Sequence, residues 1–199
     1  MAKIHVLIPA AGAARRMRGG DKLLESVEGE PQLRRAVQAA RKSGATRVWV
    51  TLQPGDMARR STLGGTWVKV IEVPDWAEGM AASLRVGARV AMAQSADALI
   101  VLLPDLPEIG VEDVARLVSA HDEAPEAIWR ATAEDGTPGH PVLIPARLFG
   151  AMAELSGDAG ARSLLAGEDV RPLPLPGARA ITDLDTPEAW AAWRARTGR

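Results

Sequence analysis

Short apolar runs alternate along this chain with segments of helical periodicity, and this alternation constrains the fold more than any other feature. The runs rich in Val, Ile and Leu predict buried strands at residues 4–8, 47–52, 68–73 and 98–103. Helices are predicted between and after them, at residues 31–43, 79–94 and 111–121. Such alternation is typical of a three-layer α/β/α, Rossmann-like fold, in which helices cover both faces of a mostly parallel sheet. Ligands of such folds bind along the edge where the strands end.

The pattern becomes less regular after Pro125. Further strands are predicted at residues 127–132 and 141–144, and further helices at residues 146–155, 159–166 and 186–196. The last helix begins with Thr186 as its cap and Pro187 at its first position. Three prolines keep residues 171–176 extended. The sequence contains no internal repeat and no long linker, so we predict a single domain over residues 1–199.

Composition argues against several classes of function. A net charge of −1 gives no support for binding to nucleic acid or to a membrane surface. The chain has no cysteine, which excludes disulfides, cysteine-ligated zinc and cysteine nucleophiles, and we expect a cytoplasmic protein. No stretch approaches the ~20 apolar residues of a membrane span. Residues 4–8 are too short for a signal-peptide core, and Arg15 and Arg16 follow closely, so we interpret them as the first strand.

The first predicted strand leads into a basic loop of small residues, which reads A-A-G-A-A-R-R-M-R-G-G-D-K from Ala10 to Lys22. Small side chains allow backbone N–H groups to approach an anion closely. Arg16 offers a planar fork and Lys22 a mobile point charge for phosphate oxygens. The spacing fits neither a P-loop nor a dinucleotide fingerprint. From composition alone, a solvated basic loop remains an equal alternative.

A second candidate motif, V-L-L-P-D-L-P, ends at Pro107 and follows another buried strand. Its Asp105 would lie at the carboxyl end of that strand, in a loop stiffened by Pro104 and Pro107. A carboxylate in this place suits an octahedral Mg²⁺ shared with substrate phosphates. The alternative is an ordinary turn aspartate.

The loop from Ile8 to Lys22 resembles the signature of the MobA-like NTP transferases, L-A-[AG]-G-x-S-x-R-M-G-x-x-K. It departs from that signature at Pro9, at Ala14, which replaces the usual serine, and at Arg18, which replaces a glycine. The loss of the serine removes one possible hydrogen bond to phosphate. The resemblance extends to five ordered motifs that end at Glu188, and it implies a fold of the nucleotide-diphospho-sugar transferase type.

The resemblance also assigns site residues. It implies that the nucleotide is bound by the residues Ala10, Ala11, Gly12, Ala13, Arg16, Lys22, Gly79 and Ser83. Asp105 matches the family's D-x-P metal motif, and Asp183, in the D-L-D-T-P-E ending, would supply a second carboxylate to the metal. Asp185 is interpreted more simply as a residue stabilised at a helix N-terminus. Ser83 could instead be a helix-interior serine bonded to its own backbone.

The segment G-H-P-V that ends at Val142, followed by G-D-A-G-A-R ending at Arg162, resembles one branch of the family, the molybdenum cofactor cytidylyltransferases. In that branch these residues face the acceptor, so His140 and Arg162 are candidates for binding its phosphate or its pterin. Ala11 occupies a loop position that tends to be Ala in cytidylyltransferases and Gly in guanylyltransferases. The resemblance therefore favours CTP, with molybdopterin as the acceptor.

The implied activity is Mg²⁺-dependent transfer of CMP from CTP to the phosphate of molybdopterin, with release of pyrophosphate. The acceptor is already an anion, so positioning and charge neutralisation by Arg16, Lys22 and Asp105 would carry the reaction. A molybdenum hydroxylase apo-enzyme is a possible partner. The alternatives are a guanylyl- or sugar-phosphate nucleotidyltransferase, a non-catalytic molybdenum cofactor carrier or insertion chaperone, and a plain α/β binding module.

Overall fold

The alternation of strands and helices is present in the computed structural model, which describes residues 2–157 and 164–199. The strands are β1 (Ile4–Pro9), β2 (Ser26–Val27), β3 (Glu30–Pro31), β4 (Arg47–Leu52), β5 (Lys69–Glu72), β6 (Ala98–Val101), β7 (Ile128–Thr132), β8 (Pro138–Pro145) and β9 (Val170–Pro174). The helices are α1 (Gln32–Lys42), α2 (Met57–Thr62), α3 (Met80–Ala93), α4 (Val111–Glu123), α5 (Phe149–Ala153) and α6 (Pro187–Thr197). None of these helices has the length and apolar character needed to cross a bilayer.

One sheet of seven strands, in the order β5-β4-β1-β6-β8-β7-β9, organises the molecule. All neighbouring pairs are parallel except the two that involve β8, which runs antiparallel to β6 and to β7. The predicted mostly parallel sheet is therefore confirmed. Because β8 is reversed, its beginning lies at the same edge as the ends of its neighbours. That edge collects the loops after β1, β5 and β6 together with the first residues of β8.

Helices cover both faces of the sheet because successive strand residues point to opposite sides. Along β1, Val6 and Ile8 belong to the cluster that includes residues of α1 and α4. Leu7 between them belongs to the cluster formed with α3 and α5. The three layers agree with the predicted fold class. On α6, Trp190 and Trp193 are buried and pack edge to face, 5.7 Å apart.

Several elements differ from their predicted bounds. The helix predicted from Pro31 begins one residue later, because Pro31 pairs in the short hairpin of β2 and β3. Helix α2 was not predicted, since it is too short to show periodicity. The extended residues 171–176 contribute to β9, which pairs with β7. Most of the helix predicted at residues 159–166 lies outside the described residues.

Candidate active site

The loop after β1 is held from behind by two side chains. Nη1 of the buried Arg59 donates to the carbonyl oxygens of Ala10 at 2.7 Å and of Gly12 at 2.8 Å. Between them, Nε2 of Gln53 donates to the carbonyl oxygen of Ala11 at 2.9 Å. These consecutive carbonyls therefore all point toward α2 and the end of β4.

The orientation of these carbonyls determines where the N–H groups of the loop point. In a planar trans peptide the C=O of one residue and the N–H of the next point in opposite directions. The N–H groups of residues 11–13 therefore face away from Arg59, toward a groove that Gly12, Ala13 and Gly79 line. A Cβ added at Gly12 would meet no protein atom within 4 Å. An anion could therefore approach these backbone N–H groups closely, as the small residues of the loop predict.

Arg59 also fixes the far end of the loop. Its Nε donates to Oδ2 of Asp21 at 2.7 Å and its Nη2 donates to Oδ1 at 3.1 Å, so the pair is bidentate. Asp21 immediately precedes Lys22, so this contact fixes the position of the Lys22 backbone. The Asp56 side chain caps α2 by accepting from the Arg59 N–H at 3.0 Å. Arg59 was not predicted from the sequence, because a short polar segment gives no sign that one of its arginines is buried.

The basic residues of the loop form a charged cluster with carboxylates of distant segments. Nζ of Lys22 lies 2.5 Å from Oδ2 of Asp105 and 2.6 Å from Oδ1 of Asp185. Nη2 of the exposed Arg16 lies 2.5 Å from the other oxygen of Asp185. The structure thus brings together Arg16, Lys22 and Asp105, which the sequence singled out. It also corrects the interpretation of Asp185, which is an ion-pair partner within the cluster and not merely a helix-terminal residue.

Asp183 lies near the cluster, but its pKa shifts in the opposite direction to the pKa of Asp185. Burial, with the negative charges of Asp185 and Asp105, raises the pKa of Asp183. Burial acts in the same direction on Asp185, but the hydrogen bond and charge of Lys22 outweigh it and lower the pKa of Asp185. Burial alone would lower the pKa of Lys22, and its carboxylate partners raise it. Lys22 therefore serves as the counter-ion of this acidic cluster.

The donor set fits a divalent cation that substrate would help to coordinate. Oδ1 of Asp105 is buried and has no hydrogen-bond partner among the described residues, so a carboxylate lone pair is free there. The structure, over its described ranges, contains no group of three or more His, Cys, Asp or Glu that could hold a metal by itself. Mg²⁺ commonly uses one or two carboxylates and completes its shell with water and phosphate oxygens. Asp105, with Asp183 nearby, meets that requirement.

Gly79 and Ser83 line the same part of the groove. Gly79 has a φ of +83°, which favours glycine, and it precedes the first residue of α3. Ser83 is buried and accepts a hydrogen bond from the Thr51 hydroxyl at 3.0 Å, which ties α3 to β4. Both residues border a cavity of about 150 Å³ that also contacts Lys22 and Asp105. The two predicted residues therefore lie beside the charged cluster.

His140 lies at the start of β8, on the same edge of the sheet. Burial, together with the charge of Arg130, lowers its pKa to about 4, so the imidazole is neutral near pH 7. With Arg130 it lines a largely apolar cavity of about 330 Å³. Arg130 was not predicted from the sequence. Arg162, the other predicted acceptor residue, lies outside the described residues.

The carboxylates of the C-terminal segment reach the site because that segment packs directly on β8. The His140 N–H donates to the Ala180 carbonyl oxygen at 2.9 Å. A Cβ at Gly139 would lie 2.0 Å from the same oxygen, so only glycine permits this approach. The Leu184 N–H then donates to the Asp105 carbonyl oxygen at 3.2 Å. These contacts position the chain on both sides of Asp183.

The loop amides that face the groove and the lysine held between carboxylates suit an enzyme that binds phosphate groups. The sequence profile described as the MobA-like NTP transferase domain matches residues 6–172. The chain therefore belongs to this family and is a nucleotidyltransferase. The family relationship confirms the resemblance seen in the loop motif. No curated protein matches the chain in sequence.

Solved structures with the same fold cover almost the whole chain. Rv0371c from Mycobacterium tuberculosis H37Rv is 28% identical with a TM-score of 0.80, and the match covers 96% of each chain. A manganese complex of Rv0371c matches at 27% identity and a TM-score of 0.76, covering 96% of this chain and 97% of that one. CMP:2-keto-3-deoxy-manno-octonic acid synthetase, solved with CTP, is 17% identical with a TM-score of 0.76 and 99% coverage of both. At that identity the last match supports only the fold.

Proposed function

We propose that this nucleotidyltransferase transfers CMP from CTP to the phosphate of molybdopterin in a Mg²⁺-dependent reaction that releases pyrophosphate. One observation carries the proposal: the outward-facing amides of the β1 loop and the Lys22–Asp105 pair border the same groove. One side of the groove favours anions and the other can hold a cation. That combination suits a reaction between two phosphates.

The triphosphate is assigned to the loop side of the groove. The N–H groups of residues 11–13 face the groove, and the N-terminus of the 14-residue helix α3 begins beside Gly79. Backbone donors at a loop and at a helix N-terminus both stabilise phosphate oxygens. Arg16, whose side chain is 70% exposed, and Lys22 add positive charge where the α-phosphate and the leaving pyrophosphate would lie.

The divalent cation is assigned to Asp105, with Asp183 as the second carboxylate. The free Oδ1 lone pair of Asp105 supports this assignment, as does the manganese complex of Rv0371c. When bound, such a cation would neutralise phosphate charge and hold phosphate oxygens of both substrates. Asp185 would remain paired with Arg16 and stay ionised, because the pKa of Asp185 is lowered in the folded protein.

The acceptor is assigned to the cavity lined by His140. The acceptor phosphate is itself the nucleophile, so the protein needs to position it in line and does not need a covalent nucleophile. The neutral His140 offers a hydrogen-bonding group in the wall of that cavity. Ala11 in the loop supports CTP, and the fold accommodates CTP in the octonic acid synthetase. The absence of cysteine is compatible with the cytoplasm as the proposed compartment, where a molybdenum hydroxylase would receive the product.

Pyrophosphate release tests the proposal. The protein is incubated with Mg²⁺, one of CTP, GTP, UTP or ATP, and either molybdopterin or a sugar phosphate. We expect release that requires both CTP and molybdopterin. Release with GTP or with the sugar phosphate would identify an alternative transferase. Tight binding of the dinucleotide product without any release would identify a carrier and refute the catalytic proposal.

A further inference from the structure

Arg130 occupies a position on β7 where an apolar residue would be expected. The residue two places earlier on the same face, Ile128, is fully buried in the cluster under α3 and α5. In register, Arg130 pairs with Val142 of β8, which in turn pairs with Val101 of β6. Both valines belong to that same apolar cluster. The sheet therefore places one guanidinium in an otherwise apolar row.

The guanidinium of Arg130 is only partly satisfied by protein. Its Nε donates to the Gly139 carbonyl oxygen at 3.0 Å, which fixes the plane of the group. Within residues 2–157 and 164–199, no carboxylate lies within ion-pairing distance of it. Burial lowers the pKa of Arg130 from its usual value, yet an arginine remains charged near neutral pH. A half-buried charge without a partner is costly, and an external acceptor that bonded to the two outer amino groups would lower that cost.

His140 lines the same cavity as Arg130 and offers a complementary group. Nδ1 of His140 is buried without a hydrogen-bond partner among the described residues. Burial keeps the ring neutral near pH 7, so one of its nitrogens carries a hydrogen and the other accepts hydrogen bonds. We take the unpartnered Nδ1 as the acceptor. The cavity thus presents a donor fork from Arg130 and an acceptor from His140.

This cavity adjoins the groove that contains Lys22 and Asp105. The walls of the Arg130–His140 cavity include Met80, Leu84, Leu103 and Met152. Met80 and Leu103 also line the smaller cavity that contacts Lys22 and Asp105. Because the two cavities share these residues, a ligand whose phosphate lies near Asp105 can extend a flat ring toward Arg130 and His140.

We propose that Arg130 and His140 recognise the body of the acceptor through one ring edge that carries a carbonyl next to an N–H. The carbonyl accepts from the Arg130 fork and the N–H donates to Nδ1 of His140. The substrate class is then a phosphate ester whose body is a flat heteroaromatic ring with such an edge. This inference rests on the proposed function in taking the ligand to be the acceptor.

Equilibrium binding without CTP tests the inference. The probes are neopterin monophosphate, a ring of this class with a phosphorylated side chain, and glycerol phosphate, which has no ring. We expect wild type to bind the pterin probe at least about 10-fold more tightly in calorimetry. Arg130→Gln should weaken pterin binding roughly 10- to 100-fold, as for the loss of hydrogen bonds to a charged group, and leave glycerol phosphate unaffected. Equal binding of both probes by wild type would overturn the inference.

Two further variants make the test robust. Arg130→Lys keeps the charge but not the planar fork, and we expect it to be intermediate; full affinity in this variant would overturn recognition by the fork. Arg116→Gln removes an equal charge from α4, on the opposite face of the sheet, and should bind both probes like wild type. Unchanged melting temperatures and near-ultraviolet circular dichroism establish folding.

The binding test of Arg130 can succeed or fail independently of the proposed transfer of CMP. CTP binding in the presence of Mg²⁺ should be unchanged in Arg130→Gln. If the variant loses CTP affinity instead of pterin affinity, the cavity binds the nucleotide base and the inference is wrong. If wild type discriminates between the two probes through Arg130 but releases no pyrophosphate with molybdopterin, the recognition site stands and the catalytic proposal fails.

Discussion

Replacement of Lys22 by methionine should strengthen metal binding in the absence of nucleotide. In the structure the ammonium of Lys22 lies 2.5 Å from Asp105 and 2.6 Å from Asp185, in the place where a cation would reach those carboxylates. A divalent ion must therefore displace Lys22 or bind beside its positive charge. Methionine keeps a long apolar side chain and removes both the competition and the repulsion.

The magnitude follows from the geometry. A unit charge about 4 Å from a divalent ion changes its binding free energy by about 2 kcal/mol at the dielectric constant of water, and by more in a less polar medium. The side chains involved are only 15–20% exposed, so the figure for water is a lower bound. It corresponds to about a 30-fold lower dissociation constant for Mn²⁺. Without metal, the unpaired carboxylates should destabilise the variant by about 2 kcal/mol, or about 4–8 °C in melting temperature.

Electron paramagnetic resonance of free Mn²⁺ measures the dissociation constant directly, and calorimetry provides an independent value. Saturating Mn²⁺ should raise the melting temperature of Lys22→Met more than that of wild type. The same variant should bind CTP more weakly, because Lys22 is assigned to the triphosphate. Lys42→Met, which removes an exposed charge at the end of α1, is the matched control and should leave both ligands unaffected.

One result refutes this reasoning. If Lys22→Met binds Mn²⁺ with the same affinity as wild type, or more weakly, the ammonium does not occupy the cation's place. Lys22 would then organise the carboxylates for the metal instead of competing with it.

Four further predictions concern the site and its support. Asp105→Asn should fold normally by circular dichroism and lose at least about 100-fold in pyrophosphate release, since it removes the charge proposed to bind the metal; near wild-type turnover would contradict the metal assignment. Arg59→Met should lower the melting temperature and weaken CTP binding about 10-fold or more, because the loop carbonyls lose their donor; unchanged CTP affinity in calorimetry would remove Arg59 from the loop's support. The pKa of His140 is lowered to about 4, so its unfolded form takes up a proton between about pH 6.5 and pH 4, and folding should lose about 3 kcal/mol over that interval as pH falls. Urea titrations of His140→Gln should lack this part of the pH dependence, and an identical slope would contradict the assigned pKa. Gly139→Ala places a methyl against the Ala180 carbonyl and should abolish activity by displacing the following carboxylates, whereas wild-type turnover would show that the segment can shift freely.

Much of the architecture could be predicted from local pattern. Alternating apolar runs and helical periodicity identified the sheet and its layers, because burial on both faces requires near-continuous Val, Ile and Leu in parallel strands. The loop after β1 and the Asp105 turn were found by the same argument, since their residue types and their positions after strands are both local features. Lys22, Asp105 and Arg16 do lie together in the structure.

The roles of Asp185, Arg59 and Arg130 could not be predicted in this way. Asp185 is 163 residues from Lys22 in the chain, and only the packing of the C-terminal segment on β8 brings them together. Arg59 and Arg130 look like surface arginines in sequence, because burial of a charge depends on partners that distant segments supply. The molybdopterin acceptor and the single-domain organisation remain a proposal and a prediction.

By itself, then, the sequence determined the α/β/α layers, the basic loop of small residues after β1 and the position of Asp105 after β6, since each is encoded within a few consecutive residues. Only the tertiary structure decided which carboxylate pairs with Lys22, which arginine turns the loop amides outward, and which arginine lines the cavity with His140. The physical reason is that charge pairing acts through space at a few ångströms. Those distances are set by the reversed strand β8 and the segment packed on Gly139, which no local pattern specifies.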